Sequence, residues 1–360
     1  MTKKQIQTEF VAFSDHHAHN FQYKAQRKRH PELPGFYNSR LLESAAVLRE
    51  IKQYCLEREL PAVFGGDLFH RRSVLPTDAW NVTYHELEDW CDLLMIPGNH
   101  DYADNAGNIT SLDSLQDLSK GRKVSKYVGI TELRGTAFIT VPYTYDITVA
   151  REYLKDAAEY ADRSSAHTKV LLCHLGMQGA KVGSDYVLVN PNDIEVDDVA
   201  YSKFTLCLFG HFHQHQKIFK NGYYIGATHA HNWGDANTVR GFLHVTIYTD
   251  GTYDLEQIET SSPKFISLNE DNAGDYAASP NDFVKYKKKR GEKTTMKLPD
   301  FVEVVDAPPE EDALEFSGED LTLENAIDPW VNETVESEDT AKILKALGAR
   351  LLASAESELL

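Results

Sequence analysis

Short apolar runs that each stop at a polar cluster constrain this chain more than any other feature. Glu9 to Ser14 runs into Asp15-His16-His17-Ala18-His19, Pro61 to Phe64 into Gly65-Gly66-Asp67, and Leu93 to Ile96 into Pro97-Gly98-Asn99-His100-Asp101. Lys169 to Cys173 stops at His174, and Phe204 to Phe209 stops at Gly210-His211-Phe212-His213. Runs of this length bounded by Gly or Pro read as buried strands. Between the first three lie helical patterns. From about Asn38 to Glu59 the residues Leu41, Leu42, Ala45, Leu48, Ile51 and Cys55 recur at three- and four-residue steps, with Asn38 or Ser39 as the cap, and a second stretch covers roughly Pro76 to Trp90. A third helix is expected around Asp146 to Ser164, and more strands at Thr136 to Val141, Tyr223 to Ile225 and Phe242 to Ile247. The basic run Lys24 to Gly35 reads as a loop. The order β-loop-α-β-α-β indicates a layered α/β fold, in which strand ends share one edge and ligands bind there.

The groups gathered at that edge are metal ligands by chemistry. Asp15 and His17 stand two apart, so both side chains can lean toward one point. With His213 they would hold one cation, while Asn99, His174 and His211 would hold a second. Asp67 is the natural bridge, because a carboxylate has two oxygens to share. Mixed oxygen and nitrogen ligation suits Mn, Fe or Zn better than Ca or Mg. Two such ions bind a phosphate ester between them and activate water, which is hydrolytic chemistry. The imidazole of His100, outside the ligand set and backed by Asp101, is the expected general acid. Singly, each of these histidines would be a structural residue, and His16, His19, His215, His229 and His231 keep that reading, His19 and His231 being near enough to line the site.

The net charge of −18 would argue against a polyanionic substrate, but its distribution reverses the argument. Fifteen acidic residues and no Lys or Arg lie between Leu298 and Ala341, which leaves −3 for everything else. The body is near neutral and carries two basic clusters, Lys24-Arg27-Lys28-Arg29 and Lys285 to Arg290. Cys55, Cys91, Cys173 and Cys207 form no C-x-x-C pair, which indicates reduced thiols in a cytosol. No apolar run approaches the roughly 20 residues that span a bilayer, and the amino terminus lacks the apolar core of a signal peptide. A cytoplasmic protein is expected, in the host cytoplasm if phage-encoded.

The motif order D-x-H, G-D, G-N-H-D, an isolated His and G-H-x-H resembles the calcineurin-like metallophosphoesterase superfamily. Gly65-Gly66-Asp67-Leu68-Phe69-His70, and the block from Gly226-Ala227-Thr228 through Gly234-Asp235 to Arg240-Gly241-Phe242, are similar to the SbcD-type double-strand-break repair nucleases. The resemblance covers roughly Phe10 to Ile247 and suggests a compact phage-type member. It implies a β-sandwich flanked by helices, two Mn²⁺ held by Asp15, His17, Asp67, Asn99, His174, His211 and His213, and a catalytic His100. It also implies exonuclease and endonuclease activity on DNA, a homodimer, and an SbcC-type ATPase bound through a carboxy-terminal element.

On this reading residues 1–260 form the nuclease domain and 261–298 a basic linker or reduced cap. Residues 299–340 form an acidic disordered tether, and 341–360 an amphipathic helix. Lys24, Arg27, Lys28, Arg29, His70, Arg71 and Arg72 are the expected DNA contacts. A phosphodiesterase or phosphatase acting on nucleotides or phosphoproteins is the alternative enzyme. A catalytically silent DNA-binding scaffold is the alternative from another class.

Overall fold

The computed structural model describes residues 4–306 apart from 73, 105–106, 183–185, 188–192, 276–278 and 290–297. The chain divides into two compact units. The first is Met1–Lys287 with Met296–Val304. In the second, Lys288–Thr295 with Val305–Leu360, the described residues are 288, 289, 305 and 306, where Lys288 pairs with Asp306.

Alternation along the strands builds the first unit. In Ile6–Phe13, Val11 and Phe13 join one core while Phe10 and Ala12 join another. Ala62–Phe64 and Leu93–Met95 alternate likewise, and both run parallel to the first strand or its neighbour. Together with Tyr253–Glu259, Gly241–Tyr248 and Lys123–Val124 they make a six-stranded sheet. A second six-stranded sheet runs Gln216–Phe219, Gly222–Tyr224, Leu206–Gly210, Thr168–His174, Thr136–Val141, Gly129–Leu133, and its central strands are also parallel. A successive residue of a strand points to the opposite face, so each sheet has two apolar faces to cover.

The inner faces cover each other. Phe10, Val63, Leu94 and Val245 of one sheet share a core with Phe138, Val170, Leu172 and Leu208 of the other, and Phe10 meets Phe138 edge to face at 5.0 Å between ring centroids. The outer face of the first sheet packs on helices α1 (Ser39–Arg58) and α2 (Thr77–Leu87), and that of the second on α3 (Ile147–Arg163). The result is a mixed α/β sandwich in four layers. Asn38 caps α1 by accepting from the Arg40 amide at 2.8 Å, and Asp146 caps α3 through Thr148 and Val149. Among the described residues no helix is long and apolar enough to cross a membrane. All four cysteines are free, and Cys91 alone among them is exposed.

Several expectations change. Residues 24–35 are not only loop: Arg27–Arg29 pairs with Phe36–Asn38 in a short hairpin. The edge strands Gly129–Leu133, Gln216–Phe219 and Tyr253–Glu259 escaped sequence reading because half-exposed positions blur their apolar alternation. The expected linker contains Phe265–Leu268 and Phe283–Lys288 in parallel register, and the first acidic residues include the strand Glu303–Asp306. Val284, Tyr286 and Leu268 give these strands a small core of their own, which a count of charges hides. The rest of the expected tether and the terminal helix lie outside the described residues.

Phe138 is 1% exposed and sits between the sheets. Phe138→Ala is expected to cost about 3–5 kcal/mol in urea unfolding, the usual penalty for emptying a buried aromatic site. A cost below about 1 kcal/mol would rule out packing of the two sheets through this face.

Candidate metal centre

Parallel register carries the ends of the central strands to one edge. Asp15 follows Phe13, Asp67 follows Phe64, Asn99 follows Met95, His174 ends Thr168–His174, and His211 follows Gly210. The turns are tight and non-standard. Asp15 (φ 50°), His17 (φ 49°), Asp67 (φ 62°) and His211 (φ 105°) all occupy the left-handed region, at a cost of order 1–3 kcal/mol each. Backbone bonds between neighbouring turns hold them there. The Asp15 amide donates to the Gly66 carbonyl at 2.9 Å and the His17 amide to the Asp67 carbonyl at 3.0 Å, while the Asp15 carboxylate accepts the His211 amide at 3.0 Å.

Six side chains then form one continuous string of ligand atoms. His213 Nε2 lies 3.2 Å from His17 Nε2, and His17 Nε2 lies 3.6 Å from Asp67 Oδ2. The same Asp67 oxygen is 3.6 Å from His174 Nε2, which is 3.2 Å from Asn99 Oδ1, and Asn99 Oδ1 is 3.1 Å from His211 Nδ1. Asp15, the seventh residue, offers an oxygen that lies within 4.8 Å of both a ring nitrogen of His17 and an oxygen of Asp67. The structure thus brings together all seven residues, with Asp67 in the middle of the string.

Electrostatics make this a cation site. Burial drives the Asp67 carboxyl well above its ordinary range, and the carboxylates of Asp101 and Asp15 push it further. Burial, then the crowding of other imidazoles, holds His17 and His174 well below theirs, and His211 falls to about 4. Neutral imidazoles present lone pairs, and the charges of Arg240 and Arg72 leave the buried Asp15 and Asp67 carboxyls raised all the same. Divalent ions held by oxygen and nitrogen would satisfy each of these groups, so the residues fit a dinuclear metal site.

His100 and Asp101 do not form the pair read from the sequence. His100 Nδ1 bonds to the His70 carbonyl at 2.6 Å. Asp101 is fully buried and accepts the backbone amides of Asp67 at 2.7 Å, Gly98 at 2.9 Å and Leu68 at 3.0 Å, with the Ser111 hydroxyl at 3.2 Å. It therefore locks two turns together and places Asp67, a positioning role in place of the expected catalytic one. Burial lowers His100 below its ordinary value and the Arg72 charge lowers it further, while the bond to the His70 carbonyl raises it.

A supporting layer escaped the sequence reading. Asp235 Oδ1 lies 3.4 Å from His213 Nδ1 and 2.8 Å from the Arg240 guanidinium, and its other oxygen accepts the His231 amide at 2.9 Å. Burial alone would lower His213, but the bond to Asp235 and the charge of Asp15 leave it raised. Such a carboxylate fixes the orientation of a ligating imidazole. His231, read as structural, joins His17 and His213 within 4.8 Å and bonds the Asp15 carbonyl at 3.1 Å. Tyr143 and Tyr145 flank the string as well, following Thr136–Val141 as the ligands follow their strands. That shared position was the available signal, and their lack of ligand atoms hid it.

The expected basic contacts separate. His70 stacks on His100 at 5.5 Å, and the exposed Arg72 lies 5.0 Å over the Tyr145 ring, beside the string. Arg71 is exposed next to it. Lys24 and Lys28 line a different cavity, of about 1360 Å³, among Glu43, Glu50, Glu259 and Asp282, and none of the seven residues reaches it. Arg27 bonds the Phe36 carbonyl and Arg29 packs on the Phe36 ring, so the hairpin spends both on itself.

Residues 8–215 match the family described as calcineurin-like phosphoesterase. "Putative phosphoesterase 244L" of Invertebrate iridescent virus 6 is 24% identical over 200 residues, 53% of this chain and 67% of the viral protein. A 5′-nucleotidase precursor from Thermus thermophilus aligns at TM-score 0.40 and 15% identity, covering 71% of this chain and 56% of its own. Haemophilus influenzae NAD nucleotidase aligns at 0.39 and 15%, covering 71% and 50%. This chain thus spans about half the length of those two solved chains.

Gly98 leaves no room for a side chain. A Cβ there would strike Asp67 Oδ1, His174 Cε1 at 2.5 Å and the Asp67 amide at 2.7 Å. In wild type, chelation of divalent ions is expected to lower the melting temperature by about 5 °C, as loss of a ligand at 100 times its Kd implies. Gly98→Ala should melt at one temperature with or without metal and retain less than one ion per chain by elemental analysis. Two retained ions would show that the turn does not shape the site.

Proposed function

Since the chain belongs to the calcineurin-like phosphoesterase family, whose members use a dinuclear divalent metal site, we propose that this metallophosphoesterase is a Mn²⁺-dependent DNA nuclease of the SbcD type. The observation that carries the choice of a nucleic-acid phosphodiester is Arg72. It is exposed, it stands close enough to Asp67 and His100 to shift both, and among the described residues no carboxylate pairs with it. A fixed, uncompensated cation beside the string is where the phosphate next to the scissile one would rest, and a guanidinium suits that task. Arg71 adds a second positive charge on the same turn.

Asp15, His17, Asp67 and His213 would hold one ion, and Asp67, Asn99, His174 and His211 the other. Bound there, the two ions supply Lewis acidity toward the phosphate and its attacking water. His100 moves the proton. Its Nδ1–H is fixed on the His70 carbonyl, so Nε2 is the atom that carries a proton to the departing alkoxide. An arriving phosphodiester opposes the effect of Arg72 and burial, which favours the charged imidazole needed for that step. His17 meets His100 edge to face at 4.7 Å between centroids and limits its rotation. Asp235 and His231 act from behind, orienting His213 and the Asp15 backbone. The homodimer, the SbcC-type ATPase and a role in repair, recombination or phage DNA metabolism belong to the same reading, and the Gly65 to His70 motif supports them.

With Mn²⁺, end-labelled duplex DNA is expected to be cut faster than a cyclic nucleotide or a phosphopeptide at equal concentration. His100→Ala should lower kcat by about 10²–10⁴, the range of a lost general acid, while the chain keeps two ions by elemental analysis. Cleavage at the wild-type rate would remove His100 from the mechanism, and a preference for the phosphopeptide would remove DNA as substrate.

A further inference from the structure

A second recess adjoins the metal string and shares its wall. It holds about 80 Å³ and is lined by Tyr102, Asn108, Tyr127, Tyr143, Tyr145 and Tyr153, with Gly107, Lys126 and Thr144 completing it. Five of its nine lining residues are tyrosines and none is aliphatic, so it offers ring faces and polar edges where a protein-docking groove would offer methyl groups. Two of the tyrosines also belong to the metal side. The Tyr143 ring lies 6.0 Å from that of His211 and 6.1 Å from that of His174, and the Tyr145 hydroxyl donates to the Asn99 carbonyl at 3.3 Å. Tyr143 and Tyr145 meet edge to face at 4.9 Å, which fixes both rings. Arg72 caps the Tyr145 ring at 5.0 Å.

We propose that this recess receives the nucleobase adjacent to the scissile phosphate, and so acts as a base-stacking subsite of the metal centre. The inference rests on the nuclease reading for the identity of the substrate. A nucleotide carries its anion and its aromatic ring a few ångströms apart, and Tyr145 touches the counterparts of both: Arg72 for the phosphate and the tyrosine recess for the ring. The small volume admits the edge of one base and excludes a stacked pair. Because every base has a π-face, the subsite tolerates any of the four and distinguishes an unstacked or terminal base from one held in a duplex. Tyr127, 68% exposed, forms the outer rim, and Asn108 supplies an amide that can meet a base edge.

The test uses the full Mn²⁺-loaded chain and two esters with one leaving group. Thymidine 5′-(p-nitrophenyl phosphate) carries a base and methyl p-nitrophenyl phosphate carries none. The wild type is expected to show a KM about tenfold or more lower for the thymidine ester, a typical gain for one stacked base. Tyr127→Ala should bring the two KM values within about twofold of each other, and Tyr127→Phe, which keeps the ring, should restore the difference. A wild-type ratio near one, or a ratio that Tyr127→Ala leaves intact, would overturn the subsite. Wild type that prefers the thymidine ester but leaves single-stranded and duplex DNA uncut would instead overturn the nuclease reading, and the subsite would stand as one for nucleotide esters.

Discussion

One hydrogen bond couples the two halves of this molecule at the point where its chemistry resides. His174 ends a strand of the second sheet, and its Nδ1 bonds the Gly65 carbonyl of the first at 2.6 Å. A carbonyl only accepts, so the bond sets the tautomer and leaves Nε2 facing Asp67. The approach needs backbone without side chains. A Cβ on Gly210 would strike the Gly65 carbonyl and Ser14, and one on Gly66 would strike His174. Glycine there is a condition for bringing five strand ends within reach of two ions.

That closeness has an energetic consequence. Four left-handed side-chain-bearing residues, neutral imidazoles aimed at one another and buried carboxylates all oppose folding of the empty site. The offsetting terms lie elsewhere, in three apolar cores that fill the space between the sheets and under the helices. Local compensation comes from backbone amides. Asp101 accepts three of them, and burial still pushes its carboxyl to about 6, so the turns are held at some cost to that group. Rigid placement of ligands before any ion arrives is what this arrangement achieves.

The seven ligand residues were legible because each sits at or within a few residues of the end of an apolar strand, and short apolar runs are a property sequence shows directly. Helices α1 and α3 were legible within a residue or two, with Asn38 marking the start of the first, while α2 ends at Leu87, short of the expected Trp90. What was hidden depends on rotation of a side chain after the strand has ended. Asp101 is adjacent to His100 in sequence, yet it turns toward amides thirty-odd residues away, and His100 turns to a carbonyl. Asp235 and His213 meet because a bend after Gly226 returns the chain, a geometry that spacing does not encode. The short strand Phe283–Lys288 was hidden by lysines set among its core residues, and Phe265–Leu268 by its brevity and a serine in its middle.

The same distinction separates chemistry from specificity. Ligands sit on strand ends that pack between two sheets, so their positions follow from the fold. The candidate substrate contacts sit one or more residues further out, Arg71 and Arg72 beyond Phe69 of the first sheet's loop and Tyr143 and Tyr145 beyond Val141 of the second. Those loops are free to differ without disturbing the register of any strand. They nevertheless meet, through Arg72 on the Tyr145 ring and Tyr145 on the Asn99 carbonyl, so a change in either loop is felt at the other and at one ligand's backbone. Hydrolysis of phosphate esters is thereby a property of the sandwich, and on the proposed reading the choice among esters belongs to the contact between two loops.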